Sequence, residues 1–194
     1  LSGYTPTRDG YTFDGWYSNS ALTIKVTSIK LTSNTTIYAK WTAKSDMSFT
    51  DVADKAYYRD AVEWAVENGI TKGSTATTFS PNATCTRAQA VTFLWRAAGS
   101  PEPETRAMPF TDVPVGSYYY DAVLWAMEQG ITKGTSDTTF SPDMTCSRAQ
   151  IVAFLWRSEK SPAAGTANPF ADVKSTAYYA DAVLWAVEND ITKG

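Results

Sequence analysis

The sequence predicts a mainly α-helical chain of repeated units, with a small partial β module at its N-terminus. Three observations carry this. A segment recurs at offsets of 61 and 60 residues, beginning at Phe49, Phe110 and Phe170. Within each recurrence apolar residues follow a helical period. Residues 1–43 instead show strand-like alternation and glycine-punctuated aromatics.

In the N-terminal module, Ile37, Ala39 and Trp41 alternate with Tyr38 and Lys40, as in a half-buried strand. Ser33-Asn34 reads as a turn before it, and Ile24/Val26 and Ile29/Leu31 suggest further short strands. The stretch from Gly10 to Tyr17 is aromatic and glycine-rich. About 43 residues make a marginal core alone, so the module is read as lacking its beginning.

The repeat follows. Residues 49–73 read FTDVADKAYYRDAVEWAVENGITKG, residues 110–134 FTDVPVGSYYYDAVLWAMEQGITKG, and residues 170–194 FADVKSTAYYADAVLWAVENDITKG. The first helix of copy one is expected over Tyr57 to Asn68, stopped by Gly69 and, in copy two, by Gly130. Asp190 stands there in copy three and predicts a weaker stop. Glu63 becomes Leu124 and Leu184 in the later copies. That change predicts a neighbour for those two helices that the first one lacks; drift at a half-buried site is the alternative.

A second helix is expected to begin at Thr86-Arg87-Ala88-Gln89 and Ser147-Arg148-Ala149-Gln150, both capping boxes. Each runs through an apolar stretch ending Phe93-Leu94-Trp95-Arg96 or Phe154-Leu155-Trp156-Arg157. Trp64, Trp125, Trp185, Trp95 and Trp156 fall at helical spacing and read as core. Segments 99–108 and 158–168 read as linkers. The third copy stops before its second half, and the chain starts at Leu1 without a leader, so a fragment of a longer protein is expected. The missing half is expected to expose the apolar face of the third copy's first helix, leaving a partly open bundle or one completed by a partner chain.

The 194 residues carry 17 basic and 20 acidic side chains and no histidine. Histidine-based catalytic sets and histidine-ligated zinc are thereby excluded. No basic cluster suits nucleic acid and no apolar run suits a membrane span. No nucleophile–base pair, metal site or cofactor motif stands out, so no catalysis is expected. Cys85 and Cys146 occupy equivalent positions.

The pattern Phe-x-Asp-Val, then a helix, Gly-Ile-x-x-Gly, Phe-x-Pro and Thr-Arg-Ala-Gln resembles the S-layer homology repeat over residues 49–194. The boundaries implied are 47–105, 106–165 and 166–194. The resemblance implies three repeats in pseudo-threefold arrangement, one helix of each forming a central bundle. It also implies an extracellular location at the cell wall of a Gram-positive type, in an S-layer or similar surface, with non-covalent anchoring to secondary cell-wall polysaccharide, often bearing pyruvate ketals. The ligand would lie in grooves between repeats, and the repeat-equivalent Cys85 and Cys146 would lie on separate lobes as free, buried, apolar thiols. Residues 1–43, with GYTFDGWYS and IYAKWT, resemble the Listeria–Bacteroides repeat, a β-grasp-like spacer or adhesive element. The sequence departs from the S-layer homology pattern in places. Gln89 and Gln150 replace an acid, Tyr57, Tyr118 and Tyr178 replace a tryptophan, cysteines precede the motif, and copy three lacks its motif arginine.

Arg87 and Arg148 are the leading candidates for ligand contact. Each is expected in the first turn of a helix, where free N–H groups and the dipole attract anions, and a guanidinium can grip a carboxylate with two hydrogen bonds. A structural ion pair with Asp51 or Asp112 is the alternative. The loops Gly73-Ser74-Thr75 and Gly134-Thr135-Ser136 offer N–H and hydroxyl groups to a sugar or an anion. Lys72, Lys133 and Lys193 could add charge, but as lone loop lysines they are expected to be solvated. Tyr57, Tyr118 and Tyr178 could stack on a sugar face, against a plain role at the core or rim. Asp51, Asp112 and Asp172 are expected to bond their own local backbone. The rival reading is a surface adhesin or self-assembly module that binds protein, including self-association through the truncated third repeat.

Overall fold

The structure is a computed structural model and describes residues 4–8, 10–28, 30, 34–43 and 49–194. The N-terminal part is a three-stranded antiparallel sheet of β1 (Tyr11–Tyr17), β2 (Lys25–Val26) and β3 (Tyr38–Ala43), in the order β2-β1-β3. The aromatic, glycine-punctuated segment of the expected β module is thus the central strand. A bulge between Phe13 and Gly15 breaks its register with β3. Phe13 packs edge-on against Trp16 and Trp41, with ring centroids 5.2 and 5.3 Å apart. Two features expected from the sequence, the Ile29/Leu31 strand and the Ser33 half of the Ser33-Asn34 turn, lie outside the described residues.

Five helices follow: α1 (Arg59–Glu67), α2 (Arg87–Ala97), α3 (Tyr120–Glu128), α4 (Arg148–Ser158) and α5 (Ala180–Glu188). Both predicted capping boxes form. The Thr86 hydroxyl accepts from Gln89 N and Gln89 Oε1 accepts from Thr86 N, and Ser147 and Gln150 do the same. The first helices of the copies end as expected at left-handed residues, Gly69 (φ 68°), Gly130 (φ 70°) and Asp190 (φ 55°). Asp190 makes the same turn as the glycines. The linkers are tied down: the Glu128 carboxylate accepts from Glu104 N and Thr105 N, and Glu188 accepts from Gly165 N.

Each later copy packs its first helix on the second helix of the copy before it, α3 on α2 and α5 on α4, while α2 and α4 also meet. Among the described residues α1 packs on no other helix. The neighbour inferred from Leu124 and Leu184 is therefore present. Position 63 is not a wet face, however. Glu63 is 6% exposed and pairs with Arg59 at 3.0 Å. A pair of opposite charges does there what a leucine does in the packed copies.

This packing order corrects two expectations. Trp125 and Trp185 are buried at 8% exposure, but Trp64 is 57% exposed, because the step that covers the other two has no counterpart on α1. The apolar face of α5 is not bared either. Ala182, Val183, Trp185 and Ala186 are buried, since α4 of the preceding copy supplies their cover.

Cys85 and Cys146 do not lie apart. Thr86 and Thr145 form an antiparallel bridge, flanked by Cys146 N donating to Cys85 O at 2.9 Å and Arg87 N to Met144 O at 2.9 Å. The lead-in to α2 runs along the lead-in to α4, so equivalent residues converge. Both cysteines are free thiols and only half-buried.

Two of the three aspartates also reach backbone far along the chain. Asp51 accepts from Phe79 N and Ser80 N at 2.8 and 2.7 Å, and Asp112 from Phe140 N and Ser141 N at 2.8 and 2.7 Å. Ser80 and Ser141 have φ of 62° and 58°, a conformation that disfavours side chains and needs such a clamp. The Phe79 N–H, with those of Ser80 and Asp51 itself, holds the Asp51 carboxyl below its ordinary value despite opposing desolvation. A depressed value in the folded state means the contribution is complete above the unfolded value. It is lost as pH falls below about 4. Acid titration of thermal stability between about pH 5 and 2 is expected to show a shallower fall for Asp51→Asn than for the parent; equal slopes would contradict the clamp.

Candidate functional site

The lead-in to α2 places Arg87 at the junction of all three copies. Its side chain leaves the first turn of α2 and passes under copy two, where it is 4% exposed. Nε donates to Phe140 O at 2.8 Å and Nη2 to Thr132 Oγ1 at 3.4 Å. The guanidinium carbon lies 4.8 Å from the Phe140 ring centroid and 5.3 Å from that of Phe154. Burial pushes the guanidinium below its ordinary value, an effect opposed by Cys146, Tyr178 and Asp112. Arginine stays charged regardless. The expected alternative, an ion pair with Asp112, is not formed: the partners are a carbonyl, a hydroxyl and two rings.

Beside Arg87 opens a cavity of about 560 Å³, lined by Gly130, Thr132, Lys133, Gly134, Thr135, Gln150, Ala153, Phe154 and Arg157 of copy two and by Tyr178 of copy three. Of the residues singled out in the sequence it gathers Arg87, Lys133, Gly134, Thr135 and Tyr178. Among the described residues the lining has three cations and no carboxylate, in a chain whose net charge is −3. Gln150, Ala153, Phe154 and Arg157 were not anticipated as lining. They fall at spacings of three, four and seven on one face of α4, a stripe readable in the sequence. Arg157 is held by donating Nη1 to Ile131 O at 3.1 Å, as Arg96 does to Ile70 O at 3.0 Å.

Arg148 stands differently. It is exposed, donates to Thr192 Oγ1 at 3.2 Å, and borders a smaller cavity of about 350 Å³. That cavity also holds Asp172, Phe170, Tyr179 and Gly194, so its one cation faces an acid.

The other candidates lie outside both cavities. Tyr57 is 98% exposed, and Tyr118 sits beside Thr86 and Arg96 of copy one. Gly73, Ser74 and Thr75 form the copy-one loop, and Ser136 lies at the edge of the copy-two loop without lining the cavity. Lys72 and Lys193 line neither cavity.

Two expected sources of anion-binding amides are already engaged. Ser74 N and Thr75 N donate to Thr78 O, and Thr135 N and Ser136 N to Thr139 O. At the start of α2, Arg87 N and Ala88 N donate to Met144 O and Pro142 O, and Gln89 N to Thr86. The loops fold upon themselves and the helix end is capped by copy two, so neither is an open nest. What faces the cavity is side-chain chemistry: guanidinium, ammonium, hydroxyl, amide and phenol.

The S-layer homology domain model matches residues 48–91, 109–152 and 169–194, and the Listeria–Bacteroides repeat domain model matches residues 2–40. A surface-layer 125 kDa protein of Lysinibacillus sphaericus is 31% identical over 140 residues, 71% of this chain and 12% of that protein. A cellulosome-anchoring protein of Acetivibrio thermocellus is 28% identical over 133 residues, 66% of this chain and 30% of that protein. An amylopullulanase of Thermoanaerobacterium thermosulfurigenes is 27% identical over 155 residues, 79% of this chain and 8% of that protein. The chain thus spans less than a third of each of these relatives.

Proposed function

The chain belongs to the S-layer homology domain family, a cell-surface anchoring module, and from that premise we propose that it holds a carboxylate-bearing wall polysaccharide in the cavity beside Arg87. The observation that carries this is the charge of the lining: Arg87, Lys133 and Arg157 converge with no acid among them. Arg157 and Lys133 would meet the carboxylate of a pyruvate ketal, over the positive floor that Arg87 provides. Thr135 and Gln150 would bond sugar hydroxyls and Tyr178 would cover a ring face.

On this reading residues 47–105, 106–165 and 166–194 are successive units of a mainly α, pseudo-threefold domain. The repeated step of α3 on α2 and α5 on α4 supports that order. The cavity draws on three units at once, so it is a composite of all the repeats. The module itself carries no catalytic role; activity in a parent protein would reside elsewhere.

The test is calorimetric titration with purified wall glycan, native and stripped of pyruvate. Binding is expected to weaken at least about tenfold on stripping, matching the loss of one charge-assisted pair, and to weaken with salt. Equal affinity for both forms would overturn the carboxylate reading. The exposed Trp64 face favours a second reading, a module that associates with protein. Concentration-dependent association in ultracentrifugation with no glycan binding would put that reading first.

A further inference from the structure

The pairing of the two lead-ins sets the chain's two cysteines opposite one another in register. Because Thr86 is bridged to Thr145 in antiparallel sense, the next pair outward is Cys85 with Cys146, already joined by the 2.9 Å bond from Cys146 N to Cys85 O. Directly opposed, hydrogen-bonded residues of an antiparallel pair have Cα atoms about 5.5 Å apart and side chains on the same face. A disulfide spans Cα separations of about 4.4–6.8 Å. Both thiols are only half-buried, and the family places the chain at the cell surface, where disulfides form and persist. We propose that Cys85 and Cys146 form an inter-repeat disulfide when the protein meets a low-molecular-weight disulfide at the cell surface.

The bond would fix the lead-in of α2 to that of α4 immediately before Arg87, closing a loop between positions 85 and 146 and holding the cavity's buried cation in register. The reaction is two thiol–disulfide exchanges. Cys146 gives up its proton and its thiolate attacks one sulfur of the oxidant, releasing one small thiolate. Cys85 then gives up its proton and its thiolate attacks Cys146 Sγ in the mixed disulfide, releasing the second. Two cysteine thiols are oxidised, one oxidant disulfide is reduced, and the two protons end on the released thiols. Burial pushes both cysteines above their ordinary value, and at Cys146 the Arg87 charge opposes that rise. Exchange therefore quickens as pH rises.

The folded chain is incubated with oxidised glutathione at mildly alkaline pH, then mapped by non-reducing peptide mass spectrometry. A peptide containing Cys85 joined to one containing Cys146 is expected, with loss of both alkylatable thiols. The melting temperature is expected to rise by roughly 5–10 °C over the reduced protein. Cys85→Ser and Cys146→Ser should show no such rise. Two thiols still free after oxidant treatment would overturn the proposal, as would glutathione adducts or linked dimers without the internal bridge. The outcome is independent of whether the glycan binds.

Discussion

Replacing Arg87 by alanine is expected to lower the unfolding free energy by about 3 kcal/mol and to weaken glycan binding more than about tenfold. The guanidinium is 4% exposed and bonds Phe140 O at 2.8 Å. Truncation leaves that carbonyl without its charged donor, a loss of about 1.5–3 kcal/mol, and removes two ring contacts worth roughly 1 kcal/mol together. It also empties space between copies one and two. Arg148→Ala is the matched control. Arg148 is exposed and its described bond is to the Thr192 hydroxyl at 3.2 Å, so its removal is expected to change stability by less than about 0.5 kcal/mol. Arg87→Lys should recover the charge but not the planar fork and its stacking, giving an intermediate result. Urea titration and glycan calorimetry on the three variants separate these roles. Equal stability of Arg87→Ala and Arg148→Ala would mean the buried guanidinium does not tie the copies together.

That contrast between equivalent arginines marks what the sequence could and could not reveal. The copies, the helix positions, the capping boxes and the glycine stops were legible because each depends on residues within a few positions of one another. The Glu63-to-leucine change reported a helix neighbour correctly, although position 63 is buried in copy one as well, where Glu63 is paired with Arg59. Arg87 and Arg148 sit in the same local sequence, yet one is buried between two phenylalanines and the other is exposed. The difference lies in what the following copy brings over them, which no local pattern records. Convergence of Cys85 and Cys146 and the exposure of Trp64 have the same origin, the order in which helices of successive copies stack. The loop amides failed as anion donors for another reason. Composition shows that a loop has free N–H groups, but not that Thr78 and Thr139 carbonyls turn back to accept them.

The copy-two loop supplies the second large effect. Gly134→Ala is expected to destabilise the protein by about 3 kcal/mol or more and to abolish tight glycan binding. Gly134 has φ 84°, and an added Cβ would lie 2.5 Å from Phe110 Cε1, 2.5 Å from Thr139 O and 2.7 Å from Ser136 O. The left-handed conformation alone costs a side chain about 1–2 kcal/mol. The two oxygens are backbone and cannot step aside without moving the loop that carries Lys133 and Thr135 into the cavity. Phe110 is buried at 4% exposure and has no free direction either. Gly130 separates the two causes. It has φ 70°, lines the same cavity, and its added Cβ would meet nothing within 4 Å. Gly130→Ala should therefore show only the conformational cost of about 1 kcal/mol and keep most of the affinity. The third copy already places Asp190 in that conformation, at φ 55°. Thermal melts and glycan titration of both variants decide the matter. If Gly134→Ala is no worse than Gly130→Ala, then backbone conformation, and not the close approach of Phe110 and the loop carbonyls, is what the glycine serves.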